Sequence, residues 1–485
     1  MGKQQGNGIA GGLVWTFGER LSAQAVSTVV AMVLARLLAP SYYGLISIVT
    51  VFIDLCNIFV TSGLGTAVVR KPDADPLDFD TAFTLSLGLS AVLYGLLFAA
   101  APVVAGFYGL PALSPVMRVL GLRLVIAAFN TIQRAGVQRE MAFRRMFTGT
   151  LAGTLLSGGV GIAAALGGLG VWALVAQQLT NAAATTLVLY LIGSWRPRLR
   201  FCRGRARYIL SFGSKVLAAD LIINLERNIR SLAVGKVFGS ADLAFYDQGG
   251  KYPSLLVDNV NSSINTVMLP AYSRVQRDRE QLLAMLRNSV RMGMFLLGPM
   301  LIGFGAVAEN FVLAILTEKW LPCVPFLQIF CLAYLTRPLE TCCHKLLLAI
   351  GHGEVPLRVI AAVNLTGLAS TLAAVFLFRS ILLVALGNFL VTAVSLVGFM
   401  SASARYVGYR LGQQLEDVLR PLALAVAMGA AAWLAGRLPL APLPLLAVQI
   451  AVGVAVYGLL AVLFARAQLA ALLALVRRGG QKEGD

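Results

Sequence analysis

Nine cations, Arg20, Arg118, Arg123, Lys215, Arg227, Arg230, Lys251, Arg337 and Lys345, fall inside long apolar runs. A charge near the centre of a bilayer costs about 2.5–3.5 kcal/mol to insert, so residues held there face a polar cavity or a partner. Their neighbours at helical spacing point to a cavity. In Y-D-Q-G-G-K-Y-P-S-L-L-V-D-N-V-N-S-S-I-N, residues 246–265, Asp247, Lys251, Ser254, Asp258, Asn261 and Asn265 recur along one helical face. Asp220, Asn224, Arg227 and Ser231 repeat the spacing, as do Ser47, Thr50, Asp54, Asn57 and Thr61. Shorter versions are Arg20, Gln24 and Ser27, and Arg337, Glu340 and His344. Cations, amides and hydroxyls aligned in this way suit the binding of a polar molecule at membrane depth. Other readings stay open: Arg36, Arg230 and Lys215 lie near segment ends and can snorkel, Asp220 can pair with Arg227, and the Asn and Ser side chains can glue helices together.

The elements that must position these residues are membrane helices. Hydrophobic residues make up 58% of 485 and charged residues 13%, against about 25% charge in soluble domains; mean hydropathy is +0.79. Spans of roughly 20 apolar residues centre on 14–37, 44–66, 82–104, 114–134, 147–167, 170–192, 209–236, 243–268, 288–310, 324–348, 356–378, 381–402, 418–436 and 444–465. The third, sixth, thirteenth and fourteenth are nearly uncharged and read as lipid-facing wall. The first, second, seventh and eighth, with the fourth and tenth, read as the lining of a water-filled cavity. No charged n-region, short apolar stretch and cleavage site open the chain, so the first helix is expected to serve as the targeting signal.

Loop charge tests this segmentation, because cytoplasmic loops are enriched in Lys and Arg. Alternate loops hold Arg70 and Lys71, the run from Arg134 to Arg145, six arginines between Arg196 and Arg207, and the run from Arg274 to Arg291. Arg358, Arg405, Arg410, Arg420, Arg466 and Arg477 follow on the same side. The other side holds only Arg36, Lys236, Lys319, Arg379 and Arg437. Both termini are therefore expected in the cytoplasm. The formal net charge of +18 follows from this asymmetry and from contact with anionic lipid, which argues against a nucleic-acid partner.

Catalytic constellations are missing. Cys56, Cys202, Cys323, Cys331, Cys342 and Cys343, with His344 and His352, have no metal-ligand spacing. No P-loop or G-x-S-x-G is present, and the outer loops, such as G-F-Y-G-L-P-A-L at 106–113, are short. Transport without a cofactor fits better than catalysis. An internal repeat agrees, T-F-G-E-R-L-S-A-Q and L-L-A-P-S-Y-Y-G-L in the first half answering S-F-G-S-K-V-L-A-A-D and V-F-G-S-A-D-L-A-F-Y in the second; duplicated lobes with a site between them are a common transporter plan.

The chain resembles the polysaccharide exporters of the MOP superfamily, the Wzx-type flippases of lipid-linked oligosaccharides in the O-antigen and exopolysaccharide branch. The resemblance runs nearly end to end through A-R-L-L-A-P-S-Y-Y-G-L (35–45), S-G-L-G-T-A-V-V-R-K (62–71), V-Q-R-E-M-A-F-R-R-M (137–146), G-L-G-V-W-A-L-V-A-Q-Q-L (168–179), S-W-R-P-R-L-R-F (194–201), M-L-P-A-Y-S-R-V-Q (268–276), E-K-W-L-P (318–322) and L-L-A-I-G-H-G (347–353). It implies an all-α polytopic membrane protein with about fourteen transmembrane helices in two pseudo-repeated seven-helix lobes. The expected parts are an N-lobe at 1–194, an Arg-rich inter-lobe loop at 195–208, a C-lobe core at 209–403, and two final helices with a tail at 404–485. The implied activity is movement of an undecaprenyl-pyrophosphate-linked repeat unit between the leaflets of the bacterial inner membrane by alternating access, beside a polysaccharide polymerase and a chain-length regulator. Arg20, Arg123, Arg227, Lys251 and Arg337 would hold the diphosphate, with Gln24, Asn224, Asn261 and Asn265 on sugar hydroxyls. Asp54, Asp220, Asp258 and Glu340 would take up a coupling proton or Na⁺. A MATE-type cation antiporter, a peptidoglycan-precursor flippase and a non-transporting scaffold remain as alternatives.

Overall fold

The computed structural model describes residues 22–470 except 72, 141, 194 and 467. Arg20 lies outside them. Among the described residues, helices occupy every expected segment and no strand occurs. Nine helices among the described residues are long and apolar enough to span a bilayer, ten if Glu318–Ala333 and Arg337–Ala349, bent by 41°, form one span.

The chain divides into two compact units, Met1–Ala244 and Phe245–Asp485. In the first, α1 (Ser22–Leu37) precedes α2 (Pro40–Thr61), α3 (Leu64–Arg70), α4 (Pro76–Tyr108), α5 (Leu113–Leu120), α6 (Leu122–Arg139), α7 (Phe143–Leu166), α8 (Val171–Ile192) and α9 (Arg203–Val237). The division falls within α10 (Ser240–Arg274). The second unit continues with α11 (Arg279–Ala306), α12 (Ala308–Phe311), α13 (Val324–Ala333), α14 (Arg337–Ala349), α15 (Glu354–Leu372), α16 (Ile381–Val407), α17 (Leu411–Ala435) and α18 (Pro442–Phe464). Of the other expected spans, α1 is short within the described residues, and α8, α9 and α10 are less apolar because they carry uncharged polar or charged stripes.

Local chemistry sets the helix ends. Asp75 caps α4 in a reciprocal box with Asp78, Pro76 occupies the first turn, and Gly109 closes the helix in the left-handed region at φ 67°. The second expected span is one element, Pro40–Arg70, with a local interruption between α2 and α3: Gly63, at φ 82°, lies so close to the Gly213 backbone of α9 that a Cβ would collide with it.

Small residues let α7 and α8 approach. Gly149, Gly153, Ser157 and Gly161 repeat every four residues on α7 and face Leu189, Thr185, Asn181 and Gln177 of α8; Asn181 Nδ2 donates to Ser157 Oγ at 3.2 Å. A Cβ on Gly153 would strike Thr185, whereas one on Gly159 meets nothing within 4 Å. Gly153→Leu is therefore expected to cost about 2–3 kcal/mol by overpacking and Gly159→Leu close to nothing. Thermal loss of the monodisperse protein in detergent compares them, and equal melting of the two variants would refute the close-packed reading.

The second unit is built around Tyr272, Leu286, Met294, Cys342 and Leu346. Fully buried Asp417 on α17 accepts from both arms of Arg287, at 2.7 and 3.0 Å, from Arg291 at 2.5 Å and from the Tyr409 hydroxyl at 2.9 Å. This carboxylate locks α17 onto α11.

Candidate functional site

The first unit encloses a cavity of about 680 Å³ among α1, α2, α3, α6, α7 and α8. The polar stripe of α2 supplies Asp54, Asn57 and Thr61, and α1 supplies Ser27. From α6, whose cavity-facing arginines and amides fall seven or four residues apart, come Arg123, Asn130, Arg134 and Gln138. Arg123 Nη1 donates to Gln178 Oε1 of α8 at 2.9 Å, and Asn130 Nδ2 to Thr186 Oγ1 at 3.2 Å, so the walls hold each other in register.

Asp54 lies within electrostatic reach of both Arg123 and Arg227. Asp54 and Arg123 thus share the cavity, while Arg227 of α9 is exposed and not among its lining residues. Arg227 makes no ion pair with Asp220 among the described residues; Asp220 instead gives its backbone carbonyl to Asn224 Nδ2 at 2.8 Å. Gln24 sits on α1, one turn before Ser27, and its carbonyl accepts from Thr28. Asn57, a lining residue of the cavity, has its Oδ1 buried without a hydrogen-bond partner among the described residues.

Two expectations are corrected. The sixth span, read as lipid-facing wall because it carries no charge, is a cavity wall: α8 presents Gln177, Gln178, Asn181, Thr185 and Thr186. Its signal was present in V-A-Q-Q-L-T-N-A-A-A-T-T as uncharged polar residues at helical spacing, which a search for charges passes over. Arg134, assigned to a loop because the fourth span seemed to end there, lines the cavity, since α6 runs on to Arg139.

Several other cations have structural partners. Arg230 pairs with Glu226 at 2.8 Å. Arg118 lies 4.4 Å from the Phe98 ring and donates to its carbonyl at 3.3 Å. Lys71 and Arg205 converge on Asp78, and Arg205 also binds Asp75, which is held down to about 2 chiefly by that contact. The Arg-rich segment is therefore docked on the start of α4, where Trp195 Nε1 also donates to Asp80 at 3.2 Å.

In the second unit the polar stripe of α10 holds Lys251 and Asn261 half-buried and Asp258 and Asn265 exposed; Asn261 Oδ1 is buried and unpartnered among the described residues. Glu340 accepts from Thr336 and from Ser395 of α16, each at 2.8 Å, with Arg337 3.5 Å away. That carboxylate ties α14 to α16.

Residues 33–325 match the family model described as polysaccharide biosynthesis protein. The chain is 23% identical over 473 residues to the succinoglycan biosynthesis transport protein ExoT of Rhizobium meliloti, covering 96% of this chain and 94% of the relative. In fold it is similar to the lipid II flippase MurJ in an inward closed conformation, with a TM-score of 0.75 at 12% identity over 94% of this chain and 100% of that one. It is also similar to an inward-facing multidrug resistance MATE family transporter of the MOP superfamily, with a TM-score of 0.60 at 17% identity over 80% of this chain and 98% of that one. The chain accordingly belongs to the polysaccharide biosynthesis protein family, as a multi-pass membrane protein with the fold of the MOP-superfamily transporters.

Proposed function

We propose that the protein carries a lipid-linked oligosaccharide repeat unit, joined to undecaprenyl through a diphosphate, from the cytoplasmic to the periplasmic leaflet by alternating access. The observation that carries this reading is the pairing, in one cavity, of cations with a wall of amides and hydroxyls: Arg123 and Arg134 beside Asn57, Asn130, Gln177, Gln178 and Asn181. A diphosphate needs charge-assisted donors once its water is stripped away, and sugar hydroxyls need paired donors and acceptors such as carboxamides provide. The succinoglycan transport activity named for ExoT supports the same substrate class. Lys251, Asn261, Asn265 and Arg337 complete the binding set on the second unit in this reading, and both termini lie in the cytoplasm. A polymerase and a chain-length regulator would receive the product. Asp54, facing Arg123 and Arg227, is the foremost coupling carboxylate, with Asp220, Asp258 and Glu340 as the others, each able to exchange a proton or Na⁺ as the lobes rock.

Deletion of the gene is expected to abolish surface polysaccharide and to accumulate the diphosphate-linked repeat unit on the cytoplasmic side, with complementation by the wild-type gene. An Asp54→Asn copy would restore less than about a tenth of the polymer if the carboxylate couples transport. Normal polymer in the deletion strain, with altered resistance to cationic drugs, would replace this reading with that of an antiporter; full complementation by the Asp54 variant would remove only the coupling role.

A further inference from the structure

A second hollow in the first unit, about 500 Å³, is almost wholly apolar and lies among α2, α3, α4 and the start of α9. It is separate from the polar cavity: Thr61, Gly65 and Thr66 face the cavity, while Phe59, Ser62 and Leu64 face this groove, so the interrupted α2–α3 element stands between them.

One end of the groove is basic. On α9, Leu210, Ser214 and Leu217 line it, and Arg203 and Arg207 continue the same face at seven- and three-residue spacing toward the helix start. The Arg200 main chain meets the rim by another route: its backbone carbonyl accepts from Thr84 Oγ1 at 3.0 Å, and Thr84 and the adjoining Phe201 are both groove wall. Lys71 and Arg205 are occupied by Asp75 and Asp78, but Arg200, Arg203 and Arg207 are exposed and form no ion pair among the described residues. An apolar slot with three exposed arginines on the adjoining turns, none in an ion pair among the described residues, is complementary to one kind of molecule, an anion with a hydrocarbon chain.

We propose that this groove is a binding site for an anionic phospholipid, its acyl chain lying along Val92, Leu89 and Leu217 and its phosphate held by Arg200, Arg203 and Arg207. Separation by α2–α3 from the cavity favours a resident membrane lipid over the transported one. The lipid would brace the joint at which α9 crosses the Gly63 interruption, where two backbones meet without side chains between them.

The test uses the full-length purified protein, delipidated in detergent and supplied with phosphatidylglycerol or phosphatidylcholine, with bound lipid counted by native mass spectrometry. One phosphatidylglycerol should be retained in preference to phosphatidylcholine. At roughly fivefold per arginine, the triple variant Arg200→Gln, Arg203→Gln, Arg207→Gln should retain it about 100-fold more weakly. Gly88→Phe gives an independent check, since Gly88 lines the groove and a Cβ there meets nothing within 4 Å. It should fold normally and lose the lipid with all three arginines intact. Equal retention of both lipids, unchanged retention in either variant, or displacement of phosphatidylglycerol by an equimolar polyprenyl diphosphate would overturn the proposal, the last by reassigning the groove to the transported lipid.

Discussion

Arg123→Ala is expected to lower polysaccharide export by about 100-fold while the protein still inserts at normal abundance. Arg123 lines the polar cavity, is oriented by Gln178 at 2.9 Å and faces Asp54. A charge-assisted hydrogen bond to a desolvated anion is worth about 1.5–3 kcal/mol, so losing a bidentate fork can cost this much on its own. Arg123→Lys keeps the charge but not the planar fork and should recover part of the activity, leaving a deficit of about tenfold. Gln178→Ala removes the positioning bond alone and should fall between the wild type and Arg123→Ala. Lipid-linked repeat unit and surface polymer, measured in a complemented deletion strain with membrane abundance checked by immunoblot, give the comparison. Wild-type export from Arg123→Ala would discard the cavity as the headgroup site.

Asp417→Ala is expected to destabilise the second unit by about 3 kcal/mol, the cost of stranding buried cations once their common counter-charge is removed. Arg287, Arg291 and Tyr409 all converge on this one carboxylate, which is 0% exposed, while the two arginines keep 23% and 30% of their side chains accessible. Partial access to water keeps the figure near the low end of the range for fully buried pairs. The variant should lose most of its folded protein on mild heating in detergent. Replacing Arg287 and Arg291 by Met together with Asp417→Leu should restore much of the stability, because the desolvation penalty disappears along with the attraction. If Asp417→Ala melts with the wild type, the cluster is idle and α11 and α17 are held by packing alone.

The class of this protein was legible in its composition and hydropathy. So were the helices, because each span is a contiguous apolar run and each polar face repeats with the 3.6-residue period of a single helix. Asp54, Asn57 and Thr61 were found in this way, and they do line the cavity. Arg20 falls outside the described residues. The amide face of α8 was missed because charge, not uncharged polarity, was the signal followed, and the extension of α6 through Arg134 was hidden by the same charge that marks loops. Periodicity along one helix cannot reveal which other helix meets its polar face. Asp417 and Arg287 are 130 residues apart, as are Asp75 and Arg205, and nothing in either local stretch names its partner. The sequence by itself determined a membrane-embedded helical protein with cations inside apolar runs, since burial preference and helical period are local properties of the chain. Only the tertiary structure decided which cations face the cavity and which are neutralised in ion pairs, because charge pairing depends on distances through space that helix packing alone sets.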